Sequence, residues 1–208
     1  MTKQERLARI TQGLERTYPD ADCSLEFRDP WQLLVSAILA TQCTDKRVNM
    51  VTPALFARYP TVYDCAQADE NELMEYIRST GFYNHKAKNI IGSAKRICEV
   101  YGGKVPDNID DLVTLPGVGR KIANLIVGDV YKRPAIVVDT HCKRLTYRMG
   151  LTKNTDPVKI EMDLWKIVPP AYSSKFCHQL VLLGREFCTA RSPRCGECPV
   201  QNGCKQAK

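Results

Sequence analysis

Cys188, Cys195, Cys198 and Cys204 stand near the end of the chain in the pattern C-x6-C-x2-C-x5-C. Four thiols within seventeen residues oblige that segment to turn around a common centre, a tighter constraint than any apolar run in the chain imposes. Thiolate is a soft, electron-rich ligand suited to iron–sulfur clusters or to zinc. Structural zinc sites mostly use two C-x2-C knuckles or a Cys/His mixture, whereas here one C-x2-C is flanked by two longer arms, which favours a [4Fe-4S] cluster as the cofactor. Two disulfides are the remaining use of four cysteines. They fit poorly, because the chain shows no apolar signal segment and its ten cysteines include six scattered ones, as expected in a reducing compartment.

A chain of 208 residues forms one large domain or two small lobes and buries a core without help from a metal, so the cluster is expected to act as a local clamp. Thirty Lys and Arg against twenty-three Asp and Glu leave a formal +7, a balance that suits a polyanionic partner and equally a solvated basic face. No stretch approaches the roughly 20 apolar residues of a membrane span. The chain is therefore expected to be soluble and cytoplasmic, with no membrane partner.

The remaining pattern is helical. Asp29-Pro30 offers an N-cap and a first-turn proline ahead of Trp31, Leu34, Val35, Ile38 and Leu39, spaced as one helical stripe. Asp69 with Glu72 resembles a capping box before Leu73, Tyr76 and Ile77. Asn84 precedes a long helix with Ala87, Ile90, Ile91, Ala94, Ile97 and Val100 on one face, closed by Gly102-Gly103. Asp156-Pro157 repeats the cap-plus-proline signal before Ile160, Leu164 and Ile167; Pro169-Pro170 ends that helix, and a last one is expected over about 172–187. Ala135 to Val138 alone looks strand-like and, with no partner nearby, reads as a buried connection. The six scattered cysteines, Cys23, Cys43, Cys65, Cys98, Cys142 and Cys177, read as small buried apolar residues.

Between two helical stretches stands Leu115-Pro116-Gly117-Val118-Gly119-Arg120-Lys121. Glycines flanking one small apolar residue permit a tight turn and a close approach of backbone to another surface, and the next helix begins at once with its unpaired N–H groups pointing outward. Such a terminus seats a phosphate, although the bare G-x-G is also an ordinary αα-turn. Lys121 lies in the first turn, at the positive end of the helix dipole beside Arg120, a setting suited either to an amine nucleophile that forms Schiff bases or to a phosphate contact. Asp139, at the end of Ile136-Val137-Val138, is a candidate catalytic acid and, read locally, an N-cap for the helix through Cys142, Leu145 and Met149. His141 reads as structural or phosphate-contacting.

The order L-P-G-V-G-R-K, then V-D-T-H with its aspartate eighteen residues after the lysine, then C-x6-C-x2-C-x5-C resembles the endonuclease III family of helix-hairpin-helix DNA glycosylases over essentially the whole chain. The resemblance implies an all-α fold of two lobes with a DNA-binding cleft between them. A helical barrel would span 21–131, with the helix-hairpin-helix at about 108–131, and the second lobe would join 1–20 to 132–208, with the cluster loop at 188–204. It also implies Lys121 as Schiff-base nucleophile, Asp139 as catalytic aspartate, and Cys188, Cys195, Cys198 and Cys204 as cluster ligands. Gln42 matches the glutamine that fills the gap left by an extruded base, and Phe82 stands where the family commonly has a leucine wedge. Gly117, Val118, Gly119, Arg120, His141, Arg191 and Arg194 are the further expected DNA contacts, the last two on the loop that a cluster would hold rigid.

The implied function is base excision repair by a bifunctional glycosylase and lyase that acts as a monomer in the bacterial cytoplasm, at the nucleoid, on double-stranded DNA containing oxidised pyrimidines or abasic sites, cutting 3′ to the site by β-elimination. Two other readings compete. A mismatch or adenine glycosylase of the same superfamily would use water in place of Lys121. A non-catalytic DNA-binding iron–sulfur module would use the hairpin for docking alone; an electron carrier would have no use for the hairpin.

Overall fold

The structure is a computed structural model describing residues 1–207. Its α-helices are α1 (Lys3–Thr17), α2 (Pro30–Leu39), α3 (Asp45–Arg58), α4 (Val62–Ala66), α5 (Glu70–Ile77), α6 (Tyr83–Tyr101), α7 (Ile109–Leu112), α8 (Arg120–Asp129), α9 (Thr140–Met149), α10 (Pro157–Trp165) and α11 (Ser173–Glu186). Short 3-10 turns lie at Arg78–Thr80, Pro170–Tyr172, Cys195–Glu197 and Gln201–Gly203, and there is no strand among the described residues. No helix is long and apolar enough to cross a membrane. The fold is all-α, and contacts divide it into two compact units, Ser24–Lys132 and the pair Met1–Cys23 with Arg133 onward.

The unit Ser24–Lys132 is built on α2, which starts where Asp29 accepts the Gln32 amide and Pro30 takes the first turn. Leu33, Ser36 and Ala37 are buried as well as the expected stripe, so α2 is enclosed on every side by α3, α6 and α8. Each fully buried Leu or Ile there contributes about 1.5–3 kcal/mol. Helix α5 is capped by Asp69, whose carboxylate accepts the Glu72 amide. Helix α6 begins one residue before the expected Asn84, after Phe82, which sits in the left-handed region at φ 50° and caps with no side-chain hydrogen bond. Its stripe from Ala87 to Ile97 is buried, but Val100 is 55% exposed: the last turn runs beyond the core before Gly102 closes it at φ 59°.

In the other unit, α11 packs on α9 and on α1. Residues 135–138 are the buried connection expected, their amides bonded to side chains rather than to a strand: Ala135 N–H donates to Ser173 Oγ at 3.1 Å and Val137 N–H to Cys177 Sγ at 3.3 Å. The C-terminal loop is tied back to α1, where Arg6 Nη1 donates to the Gly203 carbonyl at 3.0 Å. None of the ten cysteines is in a disulfide. Cys65, Cys142 and Cys177 are buried as expected of small apolar residues, whereas Cys23, Cys43 and Cys98 are only partly covered, Cys98 because it stands beside the buried stripe of α6 rather than on it.

Candidate active site and cluster loop

The hairpin turn joins α7 to α8 and rests on α6. Ser93 Oγ donates to the Pro116 carbonyl at 2.7 Å, and Val118 is buried beneath the turn. The two glycines differ in what they are for. Gly117 has φ +76°, and a Cβ on it would lie 2.7–2.8 Å from the Asn89 side chain, so both the conformation and the fit require glycine. Gly119 has φ −92°, open to any residue, and a Cβ there would meet nothing within 4 Å. Its missing side chain instead keeps the N-terminus of α8 clear, with no side chain capping its amides. Lys121 is exposed and stands in the first turn of that helix.

Asp139 is half-buried and caps α9: its Oδ1 accepts the Cys142 amide at 2.7 Å. One cap bond does not exhaust a carboxylate, which has two oxygens and about four acceptor sites. The N-cap reading and the catalytic reading are therefore compatible, with the cap fixing the carboxylate's position. His141 is half-buried; its Nδ1 lies 3.1 Å from Arg144 Nη2, and a Cβ on Gly184 would meet that same nitrogen at 2.4 Å. It therefore belongs to the packing of α9 on α11.

Gln42 and Phe82 occupy the loops that follow α2 and precede α6, and both are exposed, Phe82 at 63%. Both take left-handed backbone, φ 53° and 50°, which costs a residue with a Cβ about 1–3 kcal/mol. Strain of this kind persists where the surroundings impose it, and it sets both side chains outward. Phe82 is no core aromatic.

Cys188, Cys195, Cys198 and Cys204 line one small cavity together with Arg148, Met149, Phe187 and Val200. The cavity brings together four thiols from one short loop, with no histidine or carboxylate among its lining residues. An all-thiolate set of four suits an iron–sulfur cluster, with one thiolate for each iron. Burial pushes the Cys198 thiol up, and the three neighbouring sulfurs add to it, a concentration of negative charge that ferric and ferrous ions would offset.

Two arginines of α9 clamp this loop, and sequence reading did not single them out. Arg144 donates to the Cys188 carbonyl, while Arg148 donates to Cys188 Sγ at 3.4 Å and to the carbonyls of Thr189 and Ala190 at 2.8 Å. Their i, i+4 spacing downstream of Asp139 was the available signal. The loop arginines separate in role. Both are exposed, but Arg194 is held in place: it pairs with Glu197 at 3.0 Å, donates to the Glu186 carbonyl and stacks 4.9 Å from the Phe187 ring.

A helical hairpin with an open helix terminus and a four-cysteine loop define a DNA repair class, and the family comparisons agree. Residues 35–170 match the HhH-GPD superfamily of base excision DNA repair proteins, and residues 188–204 match the iron–sulfur binding domain of endonuclease III. The chain is 47% identical to the endonuclease III of Synechocystis sp. over all of its length and 95% of that protein, and 43% identical to that of Bacillus subtilis over 92% of this chain and 88% of that one. A trapped endonuclease III–DNA covalent intermediate superposes with a TM-score of 0.93 at 38% identity, covering 100% of this chain and 97% of that one. The chain belongs to the endonuclease III family. It is a base excision repair DNA glycosylase and abasic-site lyase with an iron–sulfur cluster.

Proposed function

We propose that the protein removes oxidised pyrimidines from duplex DNA by attack of the Lys121 amine on C1′ of the damaged nucleotide, and then cuts the strand 3′ to the abasic site. The observation that carries the reading is the exposed amine in the first turn of α8, next to a terminus that Gly119 leaves uncovered. A phosphate docked on those free amides would bring the adjoining sugar within the lysine's reach.

In this scheme the damaged nucleotide leaves the stack, Phe82 wedges the duplex and Gln42 takes the vacated place. Lys121 delivers its nitrogen lone pair to C1′, the bond to the base breaks, and the base leaves with its electron pair and a proton. Asp139, fixed by its cap, accepts the amine proton or stabilises the positive charge that develops on the sugar. The bond from C1′ to the ring oxygen O4′ then opens, O4′ taking up the proton that the amine nitrogen gave to Asp139 or to water, and the iminium so formed acidifies C2′; loss of that C2′ proton expels the 3′ phosphate, and water then releases Lys121 from the product. Arg120 and the turn Gly117-Val118-Gly119 would hold phosphate, the Val118 amide being spent on the Leu115 carbonyl within the turn, with Arg191 and Arg194 contributing from the loop and His141 acting through the packing of α9. Cys188, Cys195, Cys198 and Cys204 would hold the [4Fe-4S] cluster, which supplies the fixed shape of the loop on which those arginines stand. The partner is double-stranded DNA with damaged bases or abasic sites, met by a monomer.

A panel of duplexes, each carrying one defined lesion, with base release and strand scission scored separately, tests the reading. Release of oxidised pyrimidines coupled to scission is expected; release of a mismatched normal base with no scission would place the protein among the water-using glycosylases.

A further inference from the structure

Lys86 stands on the apolar face of α6, next to Ala87 and one turn before Ile90, and only 3% of it is exposed. Burying an ammonium is costly, and an unbranched apolar side chain such as methionine would fill similar space without that cost. The charge is matched by two contacts: Nζ donates to the Leu39 carbonyl at 2.9 Å and to the Thr80 carbonyl at 2.8 Å. Leu39 ends α2, and Thr80 ends the 3-10 turn Arg78–Thr80. Both carbonyls therefore sit at the negative ends of helical segments, where a cation is favoured and a partner is needed.

Those two ends are also where the extrusion loops begin. Gln42 follows Leu39 by three positions and Phe82 follows Thr80 by two, and both loop residues have left-handed backbone. We propose that Lys86 is a positioning residue for base extrusion: its ammonium holds the two helix ends at a fixed separation and so sets Gln42 and Phe82 apart by the distance a duplex step requires. The proposal rests on the reading of Gln42 and Phe82 as the gap filler and the wedge. Wedge and gap filler act on adjoining positions of one base stack, and an error of about 1 Å in such a constellation is enough to lose the geometry. Burial pushes the Lys86 amine down from its ordinary value, with the nearby Cys43 working against that shift, so the two carbonyl bonds are what favour the charged form.

The test uses the full chain with its cluster and single-turnover rates on two duplexes, one with a paired oxidised pyrimidine and one with a preformed abasic site. Lys86→Met should slow base release by about tenfold or more while abasic-site cleavage stays within about twofold. In a background of Gln42→Ala with Phe82→Ala, adding Lys86→Met should cost nothing further, because the residues through which it acts are gone. Equal losses on both duplexes, or a loss that multiplies with that of the double variant, would make Lys86 a residue of stability alone and overturn the proposal. If the double variant itself processes both duplexes like the wild type, it is the wedge reading that fails; if the double variant discriminates and Lys86→Met does not, it is the Lys86 proposal that fails. Should Lys86→Met not fold, Lys86→Gln, which retains donors on a shorter arm, carries the same comparison; failure of both to fold would likewise overturn a positioning role.

Discussion

Asp139 accepts the backbone N–H of Cys142 at 2.7 Å, so the carboxylate proposed to serve the chemistry is also the N-cap of α9. The two roles separate on substitution. Asparagine caps as well as aspartate, so Asp139→Asn should leave thermal stability close to wild type and still reduce base release by about 10²–10⁴ through loss of the charge and proton acceptor. Asp139→Ala should lose the same activity and, in addition, about 1 kcal/mol of stability. Thermal melts beside single-turnover base release check this. Retained base release in Asp139→Asn would leave the residue as a cap alone.

The glycines of the hairpin should respond in opposite ways. Gly117→Ala combines a positive φ with a Cβ driven against Asn89, so a stability loss of about 1–3 kcal/mol is expected in urea denaturation. Gly119→Ala meets no neighbour and should cost less, at most about 1 kcal/mol for a poorer N-cap, while its added methyl group at the open α8 terminus should weaken duplex binding. Unchanged binding in Gly119→Ala would place the phosphate elsewhere.

Arg191 and Arg194 are expected to diverge. Arg191→Ala should make the dependence of log K on log salt shallower by about one and weaken damaged and undamaged duplex alike. Arg194→Ala removes the Glu197 pair and the stacking on Phe187, so its effect should appear first as easier loss of the cluster, followed by absorbance. An unchanged salt slope in the double variant would remove the loop from the DNA interface.

The cluster assignment has its own check. Purified protein should be yellow-brown with about four iron and four sulfide per chain, and Cys198→Ser should bleach it. Stoichiometric zinc without visible absorption, in protein prepared anaerobically, would contradict a cluster.

The parts of this fold that were legible in the sequence are those with local causes. Asp29-Pro30, Asp69 and Asp156-Pro157 announce α2, α5 and α10 because a cap and its amide lie within three residues of each other. Helix α3 is less legible: Pro53 stands inside it and its apolar residues do not form a clear stripe. The proposed nucleophile Lys121, the proposed acid Asp139, the hairpin and the cysteines were each visible as motifs with fixed spacing. Lys86 was not, since it and Leu39 stand 47 positions apart, and only the packing of α2 on α6 brings them together. A lysine on an apolar stripe was the visible sign. The left-handed backbone of Gln42 and Phe82 was equally hidden, because neither is a residue type that favours it.

The central claim is that the Lys121 amine forms a covalent bond with the sugar, and borohydride trapping measures it most directly. Reduction during turnover on a duplex with one oxidised pyrimidine should convert the imine to a stable protein–DNA adduct, mapped to Lys121 by mass spectrometry. Lys121→Gln, which keeps a polar side chain in the first turn of α8, should abolish both the adduct and strand scission while duplex binding largely survives. An adduct of undiminished yield in Lys121→Gln, or base release by the wild type with no trappable adduct, would contradict the account.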